Sequence, residues 1–79
     1  MTNISKTKLT EKVLQSKDCI TLGFIKGDGK TRVITGFVKS NDLTLGYILL
    51  EEAISNKLKR VDCRTLLGAF IEGNQYKVK

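Results

Sequence analysis

Three basic side chains near one another in the chain, Lys59, Arg60 and Arg64, are the residues whose types and spacing best suit chemistry. In an extended strand, Arg60, Asp62 and Arg64 share one face, and Lys59 lies on the other. The arginine guanidinium is planar and fits phosphate oxygens or a base edge. Asp62 is expected to pair with one arginine and orient the other. The pattern indicates an anion site or, alternatively, an ion-pair ladder exposed to solvent.

Two tyrosines are the best candidates for stacking on a nucleobase, because a phenol tolerates water while its ring stays apolar. They are Tyr47 and Tyr76, and the alternative for each is a half-buried strand residue. Arg32, on a predicted neighbouring strand, would approach the basic cluster if the strands close into a barrel. The candidate ligand-binding residues are therefore Arg60, Arg64, Arg32, Tyr47, Tyr76 and Lys59.

Residues for catalysis are scarce. The chain has no histidine, so it lacks the usual base for neutral pH. Glu51 and Glu52 are adjacent and point in different directions in a strand. Cys63, beside Arg64, is the one cysteine with an arginine next to it in sequence, as a reactive thiol would need. Two cysteines without histidine cannot complete a tetrahedral zinc site in one chain. We expect no enzyme activity, no catalytic residues, no metal and no cofactor.

The segment Gly27-Asp28-Gly29-Lys30-Thr31 is similar to the end of a phosphate-binding Walker loop. That pattern requires a glycine where this chain has Phe24. The residues that follow are β-branched and predict a strand, so no helix N-terminus would face a phosphate. Asp-Gly between two β-rich runs predicts a hairpin turn instead, with Lys30 in solvent.

Length and charge bound the class of protein. The chain has 79 residues, with 14 lysines and arginines against 8 acidic residues, and its formal net charge is +6. This length predicts one domain with a small core. The positive charge favours anionic partners, which include nucleotides, nucleic acid and acidic protein surfaces, although solubility alone would also explain it.

Features of the chain also indicate a compartment. No apolar run approaches the roughly 20 residues of a membrane-spanning helix, so we expect no membrane partner. No signal peptide precedes Cys19 and Cys63, the only cysteines. We expect both to be buried, reduced thiols of a cytoplasmic protein.

The apolar pattern predicts a mostly β fold: a small barrel of five or six short strands with a short N-terminal helix. Residues 1–18 form a leader in which 1–7 are loosely attached and Leu9–Ser16 is helical, with Thr10 as its cap. Residues 19–79 form the barrel domain. Its strands are predicted at Cys19–Lys26, Thr31–Lys39, Leu45–Leu50, Leu58–Cys63, within Thr65–Ile71 and at Gln75–Lys79.

A short motif is repeated. Thr21–Ile25 and Thr44–Ile48 are nearly identical, and Leu67–Ile71 is a third version. Each is predicted to be a strand with glycine near its centre, where a strand bends or another backbone approaches. The predicted core consists of Ile20, Leu22, Phe24, Val33, Phe37, Ile48, Leu50, Val61, Leu66 and Ile71.

The hairpin sequence, the glycine-bent second strand, the segment Lys59-Arg60-Val61-Asp62-Cys63-Arg64-Thr65-Leu66 and the closing Gln75-Tyr76-Lys77-Val78 together resemble small phage proteins with a Src-homology-3-like barrel. The segment 59–66 is similar to the tail of WYL domains, which are nucleotide-responsive small barrels. Arg60 and Arg64 occupy the basic positions of that tail. Gly46-Tyr47-Ile48-Leu49 stands nearest to the Trp-Tyr-Leu segment of the family.

Small phage proteins of this kind include anti-CBASS sponges, which bind cyclic dinucleotide immune signals. The resemblance implies a non-catalytic phage protein that binds and sequesters a cyclic nucleotide or another phosphate-bearing ligand. It would act in the cytoplasm of the infected host cell and evade anti-phage defence. A two-fold ligand suits a pocket across a symmetric interface, so a homo-oligomer is expected.

Two other functions remain open from the sequence. One is binding of single-stranded nucleic acid, or regulation of transcription, with an affinity that falls steeply with salt. The other is protein-only inhibition of a host enzyme, in which the basic charge steers docking onto an acidic partner.

Overall fold

The computed structural model describes residues 2–79, which form one curved antiparallel sheet with a single parallel pair at one edge. The strand order is β1-β7-β6-β2-β3-β4-β5, and only β1 and β7 run parallel. The predicted mostly β, barrel-like fold with one short helix is confirmed, although this sheet has seven strands and does not close. In chain order the elements are β1 (Thr2–Ile4), α1 (Lys6–Gln15), β2 (Ile20–Ile25), β3 (Thr31–Asp42), β4 (Tyr47–Glu52), β5 (Leu58–Asp62), a 3₁₀ turn (Cys63–Thr65), β6 (Leu66–Ile71) and β7 (Asn74–Val78).

The turn between β2 and β3 is the predicted hairpin. The Lys26 N–H donates to the Lys30 carbonyl at 2.8 Å, and the Gly29 N–H donates to the Lys26 carbonyl at 2.9 Å. Gly29 has a φ of 85°, which suits glycine, and Asp28 Oδ1 accepts from the Lys30 N–H at 2.9 Å. Thr31 begins a strand directly. The helix that a Walker loop needs is therefore not formed here.

The long strand β3 pairs with β2 on one side and with β4 on the other, and so joins the two halves of the curved sheet. Gly36 is paired with β2 on one side and with Glu52 of β4 on the other. A Cβ atom at Gly36 would clash with the Glu51 carbonyl oxygen, so only glycine fits this crossing. The register also shifts between Val38 and Ser40. At Gly36 the structure shows the close approach of the Glu51 backbone, and the irregular register from Val38 to Ser40 curves β3, which carries β4 and β5 around toward the β2–β3 hairpin.

The inner face of β3 is not the predicted one. Ile34 is buried, whereas Val33 and Phe37 are 63% and 42% exposed. Opposed residues of an antiparallel pair lie on the same face, and Ile34 is opposite the buried Leu22. The run Val33-Ile34 offers an apolar residue to either face, so the pairing register decides. Arg32 lies two residues before Ile34, so it is on the same inner face of β3, at the end of the core.

The other core predictions hold. The core also includes residues that the sequence analysis left out, from the N-terminal part of the chain and from β3 and β6: Ile4, Leu9, Val13, Ile34 and Ala69. The predicted core residues that are buried are Ile20, Leu22, Phe24, Ile48, Leu50, Val61, Leu66 and Ile71.

Helix α1 begins earlier than predicted. Ser5, not Thr10, is the N-cap, and its hydroxyl accepts from the Lys8 N–H at 3.2 Å. Thr10 is buried within the helix. Leu9 and Val13, one turn apart, pack into the core because they share a face.

The first described residues are also ordered into the sheet. Thr2–Ile4 pairs in parallel with β7, and the Lys79 N–H donates to the Ile4 carbonyl at 3.0 Å. The prediction of a loosely attached start was therefore wrong for residues 2–7; Met1 lies outside the described residues. Burial of Ile4 against the core explains the attachment.

The repeated motif does not repeat a conformation. Gly23 and Gly68 lie inside β2 and β6 and are paired with each other. Gly46 lies instead in the turn before β4, with a φ of 81°, and its N–H donates to the Asp42 carbonyl at 2.8 Å. Asp42 Oδ1 also accepts from the Leu45 N–H at 3.1 Å. Asp42, which precedes the second copy of the motif, therefore holds the first residues of that copy in a turn. The prediction of a strand through Gly46 was wrong.

Candidate anion-binding cleft

A cleft lies between the β2–β3 hairpin and the beginning of β5, and it is called the cationic cleft below. Its volume is about 250 Å³. It forms because the curved sheet brings its edge strand β5 back toward β2, which is not a neighbour of β5 in the sheet. The lining residues are Phe24, Lys26, Gly27, Arg32, Lys59 and Arg60.

The strand pairing explains why cations collect at this end of the core. Arg32 is paired with Phe24, whose ring is buried. Lys59 is paired with the buried Leu50 and lies two residues from the buried Val61. It is therefore on the face of β5 that points into the core. Both cations are thus the last inward residues of their strands, where the apolar core gives way to solvent. Their long aliphatic stems can lie on the core while the charges stay in water.

The cleft keeps an excess of positive charge. Arg32 Nη2 lies 3.8 Å from Glu52 Oε2, and Lys26 Nζ lies 3.6 Å from Asp28 Oδ2. Ion pairs this long at a surface hold their charges weakly. Within residues 2–79, no carboxylate comes within ion-pair distance of Lys59 or Arg60. These two side chains are therefore the least neutralised cations of the cleft.

Arg60 also contacts an aromatic ring. Its guanidinium carbon lies 4.2 Å from the centroid of the Tyr47 ring, a cation–π distance. Tyr47 is paired with Asp62, which places Arg60 diagonally across from Tyr47 on the same face. A guanidinium beside an aromatic ring gives a planar base two partners on which it can stack. Arg60 therefore links the cleft to an aromatic surface.

Arg64, by contrast, is bound to its own carboxylate. Its Nε and Nη2 atoms donate to Asp62 Oδ1 and Oδ2 at 3.1 and 2.9 Å, and its N–H donates to Oδ1 at 2.9 Å. The Arg64 side-chain hydrogen bonds, followed by its N–H, lower the pKa of Asp62 below its ordinary value, and the same pair raises the pKa of Arg64. The prediction that Asp62 pairs with one arginine is confirmed.

The predicted shared strand face for Arg60 and Arg64 was wrong. The Cys63 N–H donates to the Gly46 carbonyl at 2.8 Å in the last rung between β4 and β5. The chain then enters the 3₁₀ turn, for which Asp62 is the N-cap. Because Arg64 lies in this turn, it no longer follows the alternation of side chains along β5. Arg64 does not line the cationic cleft.

Tyr76 lies at a separate place, on β7. The Lys12 ammonium is 5.4 Å from its ring centroid, so its cationic neighbour belongs to α1. The structure thus gathers Arg32, Lys59 and Arg60, adds Tyr47 through Arg60, and leaves Arg64 and Tyr76 outside the cationic cleft.

Three residues of the cationic cleft were not predicted as site residues. Phe24 was assigned to the core, Lys26 to the end of the first strand and Gly27 to the hairpin turn. The hairpin motif locates Lys26 and Gly27 beside a turn, but no local signal says that this turn faces β5. Only the curvature of the sheet makes that contact.

Two side chains considered for catalysis are not prepared for it: the Cys63 thiol is not activated, and Glu51 is held in an ion pair. Burial raises the pKa of the Cys63 thiol, which opposes thiolate formation even though a hydrogen bond with Thr10 acts the other way. Cys63 is half-buried, but Cys19 is exposed, so the prediction of burial was wrong for Cys19; both are free thiols. Glu51 pairs with Lys39 at 3.2 Å.

Within residues 2–79, no three histidine, cysteine or acidic side chains are grouped as metal ligands would be. In the same range, no helix combines the length and the apolar character needed to cross a membrane.

Comparison of the chain with protein-family models, with curated proteins and with solved structures gives no match. The resemblance to phage barrels and WYL domains therefore stays a prediction from the sequence.

Proposed function

We propose that this protein is a non-catalytic binder of a phosphate-bearing ligand, which it holds at the cationic cleft. The ligand class that we propose is a cyclic nucleotide, and the role is sequestration of an immune signal in the cytoplasm of a phage-infected cell. The ligand class and the role come from the sequence resemblance. The site comes from the arrangement of charged and aromatic side chains.

The observation that carries the proposal is the pair of cations without an ion-pair partner among residues 2–79, Lys59 and Arg60, beside Arg32 at the open end of the core. Like charges gathered at one place destabilise the folded chain, because they repel each other. An anion placed among them removes that repulsion and accepts charge-assisted hydrogen bonds. Phosphate oxygens match both the ammonium and the guanidinium donors.

The aromatic neighbour of the cleft favours a nucleotide over a simple anion. A base stacked against the Arg60–Tyr47 pair would be held by its π-face, and its phosphate would reach Arg32 and Lys59. Stacking on an aromatic or guanidinium plane contributes about 1–3 kcal/mol per base. The paired geometry of Arg60 and Tyr47 means that little side-chain freedom has to be lost on binding.

Isothermal titration tests the proposal. The probes are cyclic di-GMP, cyclic di-AMP, cyclic GMP-AMP and short single-stranded oligonucleotides, each at low and high salt. We expect saturable heat with at least one cyclic dinucleotide, at a fixed stoichiometry and with modest salt dependence. Heat only with oligonucleotides, falling steeply with salt, would support the nucleic-acid alternative instead.

A matched pair of arginine variants locates the site. Arg60→Ala removes the cation that borders both the cleft and Tyr47, and we expect at least a tenfold loss of affinity. Arg64→Ala removes an arginine of similar sequence context that is bound to Asp62, and we expect less than a twofold change. Equal losses in the two variants would show that the ligand binds somewhere other than the cationic cleft.

A further inference from the structure

The outer edge of β5 has free backbone groups. The Glu52 N–H donates to the Lys57 carbonyl and the Cys63 N–H donates to the Gly46 carbonyl, both at 2.8 Å. Because bonding alternates along an antiparallel pair, these two rungs direct the N–H and C=O groups of Leu58 and Arg60 away from β4. No other strand of residues 2–79 lies on that side of β5.

The usable part of this edge is short. The Thr65 hydroxyl donates to the Asp62 carbonyl at 2.8 Å, which engages one end. Asn56, with a φ of 58°, lies in the turn before the other end. Leu58 to Arg60 remain, which is too few residues to hold a long extended peptide. A second copy of the same edge, turned by a two-fold axis, matches it residue for residue.

Building on the proposed function, we propose that two copies of the chain pair through their β5 edges around one anionic ligand. In this pairing Leu58 of one copy exchanges backbone hydrogen bonds with Arg60 of the partner copy, and Lys59 lies opposite its own counterpart. Leu58, 59% exposed in the single chain, is covered in the pair. This dimer would be the homo-oligomer that a two-fold ligand suits.

The anion is needed because of Lys59. Like charges directly opposite each other destabilise an antiparallel pair, and the neighbouring Arg60 residues add to the repulsion. Lys59 and Arg60 border both the edge and the cationic cleft, so the pairing joins two clefts across the axis. A ligand with two phosphates supplies the neutralising charge to both halves at once. Without it the chain stays monomeric.

Charge reversal tests the pairing without any ligand. Wild type alone and Lys59→Glu alone should each keep the monomer mass of 8.8 kDa in analytical ultracentrifugation. An equimolar mixture should form a heterodimer of twice that mass, because lysine then faces glutamate across the axis. A mixture that remains monomeric overturns the inference, and so does a wild type that dimerises in anion-free buffer.

Leu58→Pro provides the control for the backbone contact. Proline is tolerated on an edge strand where its nitrogen faces outward, so the fold should persist, as circular dichroism would verify. The variant lacks the donor of Leu58 and should abolish the heterodimer when present in both chains. A folded Leu58→Pro pair that still dimerises would overturn pairing through this edge.

Adding a cyclic dinucleotide to wild type, and measuring both its binding and the mass of the protein, separates this inference from the proposed function. Binding to wild type with a shift to twice the monomer mass supports both. Binding at the monomer mass overturns the dimer and leaves the proposed function intact. A heterodimer from the charge-reversal mixture without any nucleotide binding supports the edge pairing and refutes the proposed function.

Discussion

Arg60 and Arg64 are four positions apart in a basic segment, but their environments differ. Arg64 has a carboxylate partner two residues away, contributed by the same turn. Arg60 has no carboxylate within ion-pair distance among residues 2–79, and instead lies on Tyr47 of a different strand and borders a cleft whose far wall is the β2–β3 hairpin. One arginine is satisfied by local sequence, and the other is available because of the tertiary fold. An arginine-rich motif therefore does not define a ligand site until each charge has been assigned its partner.

The largest expected effect is on ligand affinity. Lys59→Glu combined with Arg60→Glu reverses the two charges of the cationic cleft that have no ion-pair partner among residues 2–79. Each charge-assisted hydrogen bond contributes about 1.5–3 kcal/mol, so we expect at least a 100-fold loss of cyclic dinucleotide affinity in titration calorimetry. Arg64→Glu is the matched control and should lose far less. Similar losses in both would contradict the difference between the two arginines.

The next effect is on the curvature that builds the cleft. Gly36→Ala places a Cβ against the Glu51 carbonyl, which is backbone and cannot rotate away. We expect about 1–3 kcal/mol less stability in urea unfolding, with weaker ligand binding, because β4 and β5 must move. Gly23→Ala is the control, since the atoms nearest its added Cβ are 4.0 Å away. Equal destabilisation by both would argue against a specific crossing at Gly36.

A smaller effect is expected in the turn. Asp62→Ala removes the N-cap of the 3₁₀ turn and the partner of Arg64. We expect about 1 kcal/mol less stability in urea unfolding, as for loss of an ordinary N-cap. Asp62→Asn, which can still accept from the Arg64 N–H, should lose less. Ligand affinity should not fall in either variant; a fall would mean that the turn and the cleft are not independent.

The smallest effect is a pH dependence. The pKa of Asp62 lies below its ordinary value of about 3.9, chiefly through the Arg64 side chain. A carboxylate with a lowered folded-state pKa stabilises the fold above its unfolded pKa, and this contribution is lost as the pH falls through the folded pKa. Wild type should therefore lose more stability than Asp62→Asn on acidification from about pH 5 to below pH 3. Parallel losses would show that folding does not lower the pKa of Asp62.

Features that depend on neighbouring residues could be predicted from the sequence. The Asp28-Gly29 hairpin and the pairing of Asp62 with an arginine both arise within a few positions. The mostly β fold also followed from the apolar pattern, since strand alternation is a local signal. The choice of N-cap was wrong because Ser5 and Thr10 are both acceptable caps by type.

Features that depend on the pairing of strands far apart in the sequence could not be predicted from it. Val33 and Ile34 are equally apolar, and only the register opposite Leu22 places one inside and the other outside. Gly46 repeats the sequence context of Gly23, but Asp42 turns it into a bend. The cationic cleft needs Arg32 and Lys59 to be the inward ends of strands that are far apart in sequence.

The amino-acid sequence by itself determined a basic, mostly β domain with a tight hairpin and a capped turn, because these follow from charge, periodicity and turn chemistry at short range. The tertiary structure alone decided which cations of residues 2–79 have no ion-pair partner and which face of each strand points into the core. Those outcomes depend on sheet curvature and register, which are properties of the whole packed chain and are written in no single segment of it.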